Sequence, residues 1–435
     1  MSNGKIKGLQ VSTPQGESGR LVKESRFSFN YTTDDRSSEV SLLMPIRAES
    51  YAGSVLPSVF AMNRPEGYLL DKIRERFGKH FDLDDMRLLA ITGQNQIGRL
   101  RYSEPGTAGE QRGAEVGLST LLNSKASEGL FDYLVDVYLQ SGISGFQPKI
   151  MIPDADKVSA SSSVLGGGGT ASWETAPLAE KSTAVTPDLI VKSAGEDYAF
   201  LAQNEYLCMS AAKQAGITVP DFWLSEDGSL FVMRRFDLEG PERKQLGFED
   251  MAVLTTRTAE QKYHGSYEEV AKMIGAYCKE NRVESQARFF EYVALSVMTR
   301  NGDAHLKNFG LLYEFPNGAP PRLAPLFDVV TTTVYPIRDP QSGRMLTDRE
   351  LALNLHKKKD YPTRKNLVQF GRNVCGVPKP EVVLDRIEAA MRDVLKSEAR
   401  RIDSGFLQTI KSEWEGGCSA VAAPRIFAAH PRKAP

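Results

Sequence analysis

Residues 292–313, which run from Tyr292 through Asn301-Gly302-Asp303 to Tyr313, constrain the fold more than any other stretch of this 435-residue chain. Phe289, Val293 and Val297 recur at intervals of four, with Phe290, Ala294 and Met298 beside them, which predicts a buried helix. Asn301-Gly302 predicts its end. The apolar run Phe309–Tyr313 then reads as a short buried strand. The loop between these core elements carries Asp303, His305, Lys307 and Asn308. Polar groups crowded into such a place are costly unless they have work to do.

Asp303 and Asn308 stand five residues apart. That is the spacing of the protein-kinase catalytic loop, where the Asp accepts the substrate hydroxyl proton and the Asn holds magnesium. A second carboxylate, Asp328, closes the apolar run Leu323-Ala-Pro-Leu-Phe-Asp328, read here as a strand delivering a metal ligand. Asn308 and Asp328 make the sparse hard-oxygen set that Mg²⁺ takes when phosphates and water fill its other positions. The plainer reading is an Asx turn at Asn301–Asp303 and a helix cap at Asp328. The combination and its spacing favour the chemical one.

A net charge of -1 provides no global field for nucleic acid or membrane. No apolar run approaches the roughly 20 residues of a spanning helix, and the N-terminus lacks the apolar core of a signal peptide. Cys208, Cys278, Cys375 and Cys418 lie far apart without a CxxC pair, so neither a zinc site nor a disulfide framework is expected. The expected location is the cytoplasm, with no membrane partner.

Along the chain, residues 1–25 read as a loosely ordered N-terminus and 26–105 as a small α+β subdomain. Residues 104–114 read as a linker and 117–140 as helical. Ser144-Gly145 lies in a Gly/Ser loop before the strand at Ile150, the kind of loop whose amides can approach phosphate, although a plain turn has the same ingredients. Residues 153–186 read as a flexible insertion. Asp188–Lys192 is a strand delivering a lysine, placed as a kinase places the lysine that reaches the α/β phosphates. A lysine snorkelling to water is the alternative. Glu205, early in a helix from about 200 to 216, is placed to pair with Lys192, or to be an ordinary first-turn glutamate. A hairpin follows, and Met233–Phe236 reads as a hinge between lobes. Beyond Gly247 helices are expected near 266–279, 284–300, 347–356, 362–374 and 380–397, a switch that marks the lobe boundary. The basic cluster Lys357–Lys359 with Arg364 and Lys365 reads as a solvated face, and 413–435 as a disordered tail.

Several motifs resemble the HipA family of bacterial serine/threonine kinase toxins. They are Ser144-Gly-Phe-Gln-Pro-Lys149, Asn204-Glu-Tyr-Leu-Cys208, Arg235-Phe-Asp237, Glu249-Asp-Met251, Asn301-Gly-Asp-Ala-His-Leu-Lys-Asn-Phe309 and Phe327-Asp328. Pro57–Gly67 and Gln96–Leu100 extend the likeness into the first subdomain. The resemblance implies an α+β, two-lobed kinase fold related to the phosphoinositide-kinase branch. Its N-lobe would be 115–237 and its helical C-lobe 238–412, behind the small N-terminal subdomain. It implies Asp303 as catalytic base and Asn308 and Asp328 as Mg²⁺ ligands. ATP would be held by Lys192, Met233, Arg235, Phe236, Ser144, Gly145, His305 and Lys307, with Glu205 supporting Lys192. Ser144 is the expected autophosphorylation site, and Gly142 stands where some members carry the modified serine. A phosphate there would add about two negative charges where the γ-phosphate should sit. The implied partners are a helix-turn-helix antitoxin, DNA only through that antitoxin, and a protein substrate such as an aminoacyl-tRNA synthetase. The competing readings are a co-repressor that binds nucleotide without turnover, and a small-molecule or lipid kinase on the same fold.

Overall fold

The computed structural model describes residues 5–78, 82–93, 96–106, 118–123, 149–152, 188–193, 198–338 and 343–422. Ser144, Gly145, most of the helix expected over 117–140 and the insertion 153–186 lie outside the described residues.

The N-terminal subdomain is a five-stranded antiparallel sheet in the order β4-β3-β2-β1-β5. Its strands are β1 (Gly8–Thr13), β2 (Gly16–Lys23), β3 (Phe27–Tyr31), β4 (Tyr51–Gly53) and β5 (Arg101–Ser103). Alternation drives it: Leu9, Val11, Leu21, Phe27 and Phe29 all point into one core with Phe60, Met86 and Leu89. Residues 8–23 are therefore not loosely ordered, since β1 and β2 form a hairpin at the centre of the sheet. Gly and Ser between the few inward apolar residues dilute the period-two pattern.

The N-lobe sheet has the order β6-β7-β9-β8, with β6 (Lys149–Ile152), β7 (Leu189–Ser193), β8 (Phe222–Leu224) and β9 (Leu230–Arg234), all antiparallel. The helix Leu201–Gln214 packs on it through Leu207, Ala211 and Ala212. That helix ends in a Schellman turn: Gly216, at φ 71, bonds to Lys213 O, and Ile217 N–H reaches Ala212 O.

After the hairpin β10 (Leu238–Glu239) and β11 (Lys244–Gln245) comes the three-stranded sheet β12 (Gly247–Asp250), β13 (Gly310–Tyr313) and β14 (Arg322–Leu323). The buried helix Arg282–Met298 supports it. Two ribbons, β15 (Ile337–Arg338) with β16 (Met345–Leu346) and β17 (Glu350–Leu355) with β18 (Lys358–Asp360), precede the closing helices Arg364–Asn373, Pro380–Ser397 and Ser404–Ala420.

Two sequence expectations change here. The segment 347–356 is a strand, not a helix: Leu351, Leu353 and Leu355 alternate and are buried. The chain also stays ordered beyond 412, through a helix to Ala420. Its Gly417, in a stretch read as disorder, allows close helix crossing. A Cβ on Gly417 would lie 2.0 Å from Met298 O.

Glu249 joins the subdomain to the body. It accepts from Ser41 Oγ (2.9 Å), Leu42 N–H (2.8 Å) and Tyr313 OH (2.5 Å). Burial pushes its carboxyl up to about 6, outweighing these donors. Gly98 N–H donates to Asp237 Oδ2 at 2.7 Å as a second tie. Glu249→Ala strands three buried donors and is expected to lower stability by about 2–4 kcal/mol. Urea denaturation checks the size, and earlier proteolytic release of the N-terminal subdomain checks its location.

Candidate active site

The site is built around one buried ammonium. The Lys192 side chain, on β7, is 2% exposed and lies 2.5 Å from Glu205 Oε1 and 2.8 Å from Asp328 Oδ1. Glu205 sits in the second turn of the Leu201–Gln214 helix, facing the sheet with no exposed side-chain surface, so the exposed first-turn reading is excluded. Burial alone would depress the Lys192 pKa, but the Asp328 and Glu205 carboxylates raise it above the ordinary lysine value. The lysine is charged, and it does not snorkel.

Asp328 is not at a strand end. It lies in an irregular segment beyond β14, at φ 60, a conformation uncommon for any residue but glycine. Asn204, beside Glu205, holds this segment. Its Oδ1 accepts from Thr331 N–H (2.8 Å) and its Nδ2 donates to Thr331 O (3.0 Å). Trp414 Nε1 donates to Thr331 Oγ1 at 2.8 Å from the C-terminal helix. Phe327 stacks on Phe236, centroids 4.7 Å apart.

The 301–308 loop begins where the Arg282–Met298 helix ends in another Schellman turn. Asn301 N–H reaches Ser296 O, and Arg300 takes the left-handed position at φ 58. The stop therefore falls on Arg300, a residue ahead of the expected Asn301-Gly302. The Asx turn is also present, with Asn301 Oδ1 accepting from Asp303 N–H at 2.9 Å. Asp303 Oδ1 accepts from Tyr263 OH at 2.7 Å, with His305 Nε2 3.9 Å away. His305 is buried. Desolvation, then the Lys262 charge, holds its pKa well below the ordinary value, so the imidazole is neutral.

Asn308 Nδ2 donates to Asp328 Oδ2 at 3.1 Å, and Asn308 Oδ1 accepts from His305 N–H at 3.2 Å. These two side chains fit one Mg²⁺. Two ligands about 2.1 Å from the ion and at right angles lie about 3.0 Å apart, close to the observed spacing. Turning the Asn308 amide over would present its oxygen, at the cost of the His305 bond. Among the described residues no group of three or more His, Cys, Asp or Glu side chains could hold a metal. The fit is to a cation completed by its ligands, as expected for a phosphate-bound ion.

The structure thus brings Lys192, Glu205, Asn308 and Asp328 into contact, with Asp303 on the same loop as Asn308. Other expected site residues point elsewhere. Lys307 Nζ is 2.6 Å from Glu66 of the N-terminal subdomain. The Arg235 guanidinium is fully buried against Asp237 and donates to Gln96 O at 2.8 Å. The side chains of Met233 and Phe236 are buried. The N–H of Arg235 bonds Asp188 O, and that of Arg234 bonds Asp221 O. Sequence reasoning missed Tyr263 and Thr331, which lie outside any periodic or motif-bearing stretch, and gave no role to Glu66, which lies inside the Pro57–Gly67 run.

A family model described as HipA-like C-terminal domain matches residues 141–400, and one described as HipA N-terminal domain matches residues 9–103. The chain belongs to the HipA family. HipA of Shewanella oneidensis, solved with HipB and its operator DNA, superposes with a TM-score of 0.64 at 19% identity, over 94% of this chain and 96% of that one. This establishes the shared two-lobed, kinase-like fold. A Haemophilus influenzae protein named a putative kinase is 26% identical over 276 residues, 59% of this chain and 73% of its own length. A second putative kinase, from Sinorhizobium fredii, is 29% identical over 161 residues, 34% of this chain and 38% of its own. No helix among the described residues is long and apolar enough to cross a membrane.

In this HipA-family site Lys192→Met leaves Glu205 buried without its cation. The expected loss is about 3–5 kcal/mol of stability. The double variant Lys192→Met/Glu205→Gln recovers much of it, and a double-mutant cycle by chemical denaturation measures the coupling.

Proposed function

We propose that this chain is an ATP- and Mg²⁺-dependent serine/threonine protein kinase and the toxin of a type II toxin–antitoxin module. The observation that carries the proposal is the contact set Lys192–Glu205–Asp328–Asn308, with Asp303 exposed on the adjoining loop. Lys192, fixed by Glu205, binds the α/β phosphates. Asn308 and Asp328 hold Mg²⁺, which supplies charge neutralisation on the phosphates when bound. Asp303 orients a serine or threonine hydroxyl and takes its proton as the oxygen attacks the γ-phosphorus. The bond from that phosphorus to the bridging oxygen breaks, and ADP leaves. Positioning and electrostatics do most of the work in such a transfer.

The remaining roles are read from the family. The hinge at Met233–Phe236 holds the adenine, with Arg235 acting through Asp237 rather than on the nucleotide. Ser144 and Gly145 belong to the loop that covers the phosphates, and Ser144 is the autophosphorylated residue. His305 and Lys307 belong to the loop that carries Asp303 and Asn308, with His305 buried and Lys307 turned to Glu66. The partner is a helix-turn-helix antitoxin, through which the chain reaches DNA. Support comes from the HipA relative solved together with HipB and operator DNA. The substrate is a protein of translation such as an aminoacyl-tRNA synthetase, and the site of action is the cytoplasm.

Purified protein incubated with Mg²⁺ and labelled ATP, alone and with a bacterial extract, is expected to label Ser144 or an extract protein. Asp303→Ala abolishes labelling while ATP binding by calorimetry persists. Asp328→Ala weakens Mg²⁺-ATP binding itself. Bound ATP with no label in the wild-type chain would replace this reading with the co-repressor.

A further inference from the structure

Tyr263 makes a contact to Asp303 that the proposed chemistry does not use. Its hydroxyl donates to Asp303 Oδ1 at 2.7 Å, and its ring packs edge-on against His305 with centroids 5.1 Å apart. The preceding residue contributes a backbone bond, Lys262 C=O accepting from Leu306 N–H at 3.1 Å. One short segment therefore grips residues 303, 305 and 306 of the loop.

That segment is itself anchored. Thr258 and Gln261 form a reciprocal cap around the turn Ala259–Gln261, and His264 N–H closes on Gln261 O at 2.9 Å. Arg257 is ion-paired with Glu269 at 2.9 Å on the upstream side. Downstream, Gly265 O accepts from Asn354 N–H and Nδ2 at 3.0 and 3.1 Å. These ties make the segment a fixed strut. The Tyr263 hydroxyl meets an Asp303 side chain that is 43% exposed, so the bond holds the carboxylate from a fixed element rather than from another exposed side chain.

We propose that Tyr263 is a positioning residue for the phosphoryl transfer, bracing Asp303 so that its carboxylate meets the incoming hydroxyl in one orientation. This rests on the kinase reading and deepens it. Desolvation, then the Asp303 charge, raises the Tyr263 pKa well above the ordinary phenol value. The hydroxyl therefore remains a proton donor throughout the working range and does not compete for the substrate proton. A charge-assisted bond of this length fixes geometry as well as energy.

The test compares Tyr263→Phe with the wild-type chain and with Asp303→Ala, using labelled ATP, Mg²⁺ and a bacterial extract. Phe keeps the ring on His305 and removes only the hydroxyl. The expected result is a single-turnover transfer rate lowered roughly tenfold to a hundredfold, with KM for ATP, calorimetric ATP affinity and melting temperature unchanged. A merely structural role would move melting temperature and KM together with the rate, and that result overturns the brace. So does a Tyr263→Phe rate equal to wild type. A faster rate also overturns it, because the hydroxyl would then be occupying the acceptor's place. Transfer absent from the wild-type chain itself marks failure of the kinase reading, distinguishable because Asp303→Ala and wild type would then be alike.

Discussion

A lysine ammonium with almost no access to water can stay charged only if the protein replaces its hydration. Lys192 has two carboxylates to do so, and they differ in kind. Glu205 is wholly buried on a helix packed against the sheet and has no water to turn to. Asp328 is about a quarter exposed, on an irregular segment, and shares its other oxygen with Asn308. The pairing with Glu205 is therefore the permanent one, and that with Asp328 the exchangeable one. A phosphate group entering from the exposed side meets a lysine already charged and already aimed. A cation entering the same way would meet a carboxylate paired with the Lys192 ammonium and hydrogen-bonded to the Asn308 amide.

This exchangeable arrangement needs a backbone that does not relax around it. Asp328 and Arg300 both sit in the left-handed region, where a side chain costs of order 1 kcal/mol or more. Each is held by packing from elsewhere. Asn204 grips Thr331, three residues past Asp328, and Trp414 bonds the Thr331 hydroxyl. The Arg300 guanidinium stands over the Tyr361 ring and donates to Gly416 O. Trp414 and Gly416 belong to the last helix, so the end of the described chain buttresses both strained points. Asn204 and Glu205 are neighbours on one helix. A single rigid element thus sets the lysine's permanent partner and the path of the exchangeable one.

The parts of this legible in sequence are those governed by period and spacing. The buried helix over 282–298, the Lys192 strand, the Glu205 helix and the Asp303-to-Asn308 interval follow from local patterns, and the structure carries each of them. The failures have local causes too. Three leucines alternating over 351–355 are a strand signal, but charged neighbours on both sides blur it into a helix window. Gly416-Gly417 looks like a breaker until the helix that Gly417 must pass is known. β1 and β2 bury few large residues, so their sequence reads as loosely ordered. Tyr263 could not have been found at all, because its meaning lies in a contact 40 residues away on another element.

The N-terminal subdomain enters this account through charge. Lys307, between Leu306 and Asn308 on the loop, does not face the Lys192 cluster. It is 11% exposed and pairs with Glu66, which is 21% exposed, across the subdomain boundary. A pair that dry is costly to break, because either charge left alone has little water to replace its partner. The subdomain is also tied down at Glu249 and at Asp237, so Glu66 is delivered by a body that is itself fixed. Asp237 in turn holds Arg235. The loop that carries Asp303 and the segment Arg235–Asp237 are thus both tied to the N-terminal subdomain, through Glu66 and through Gln96 and Gly98.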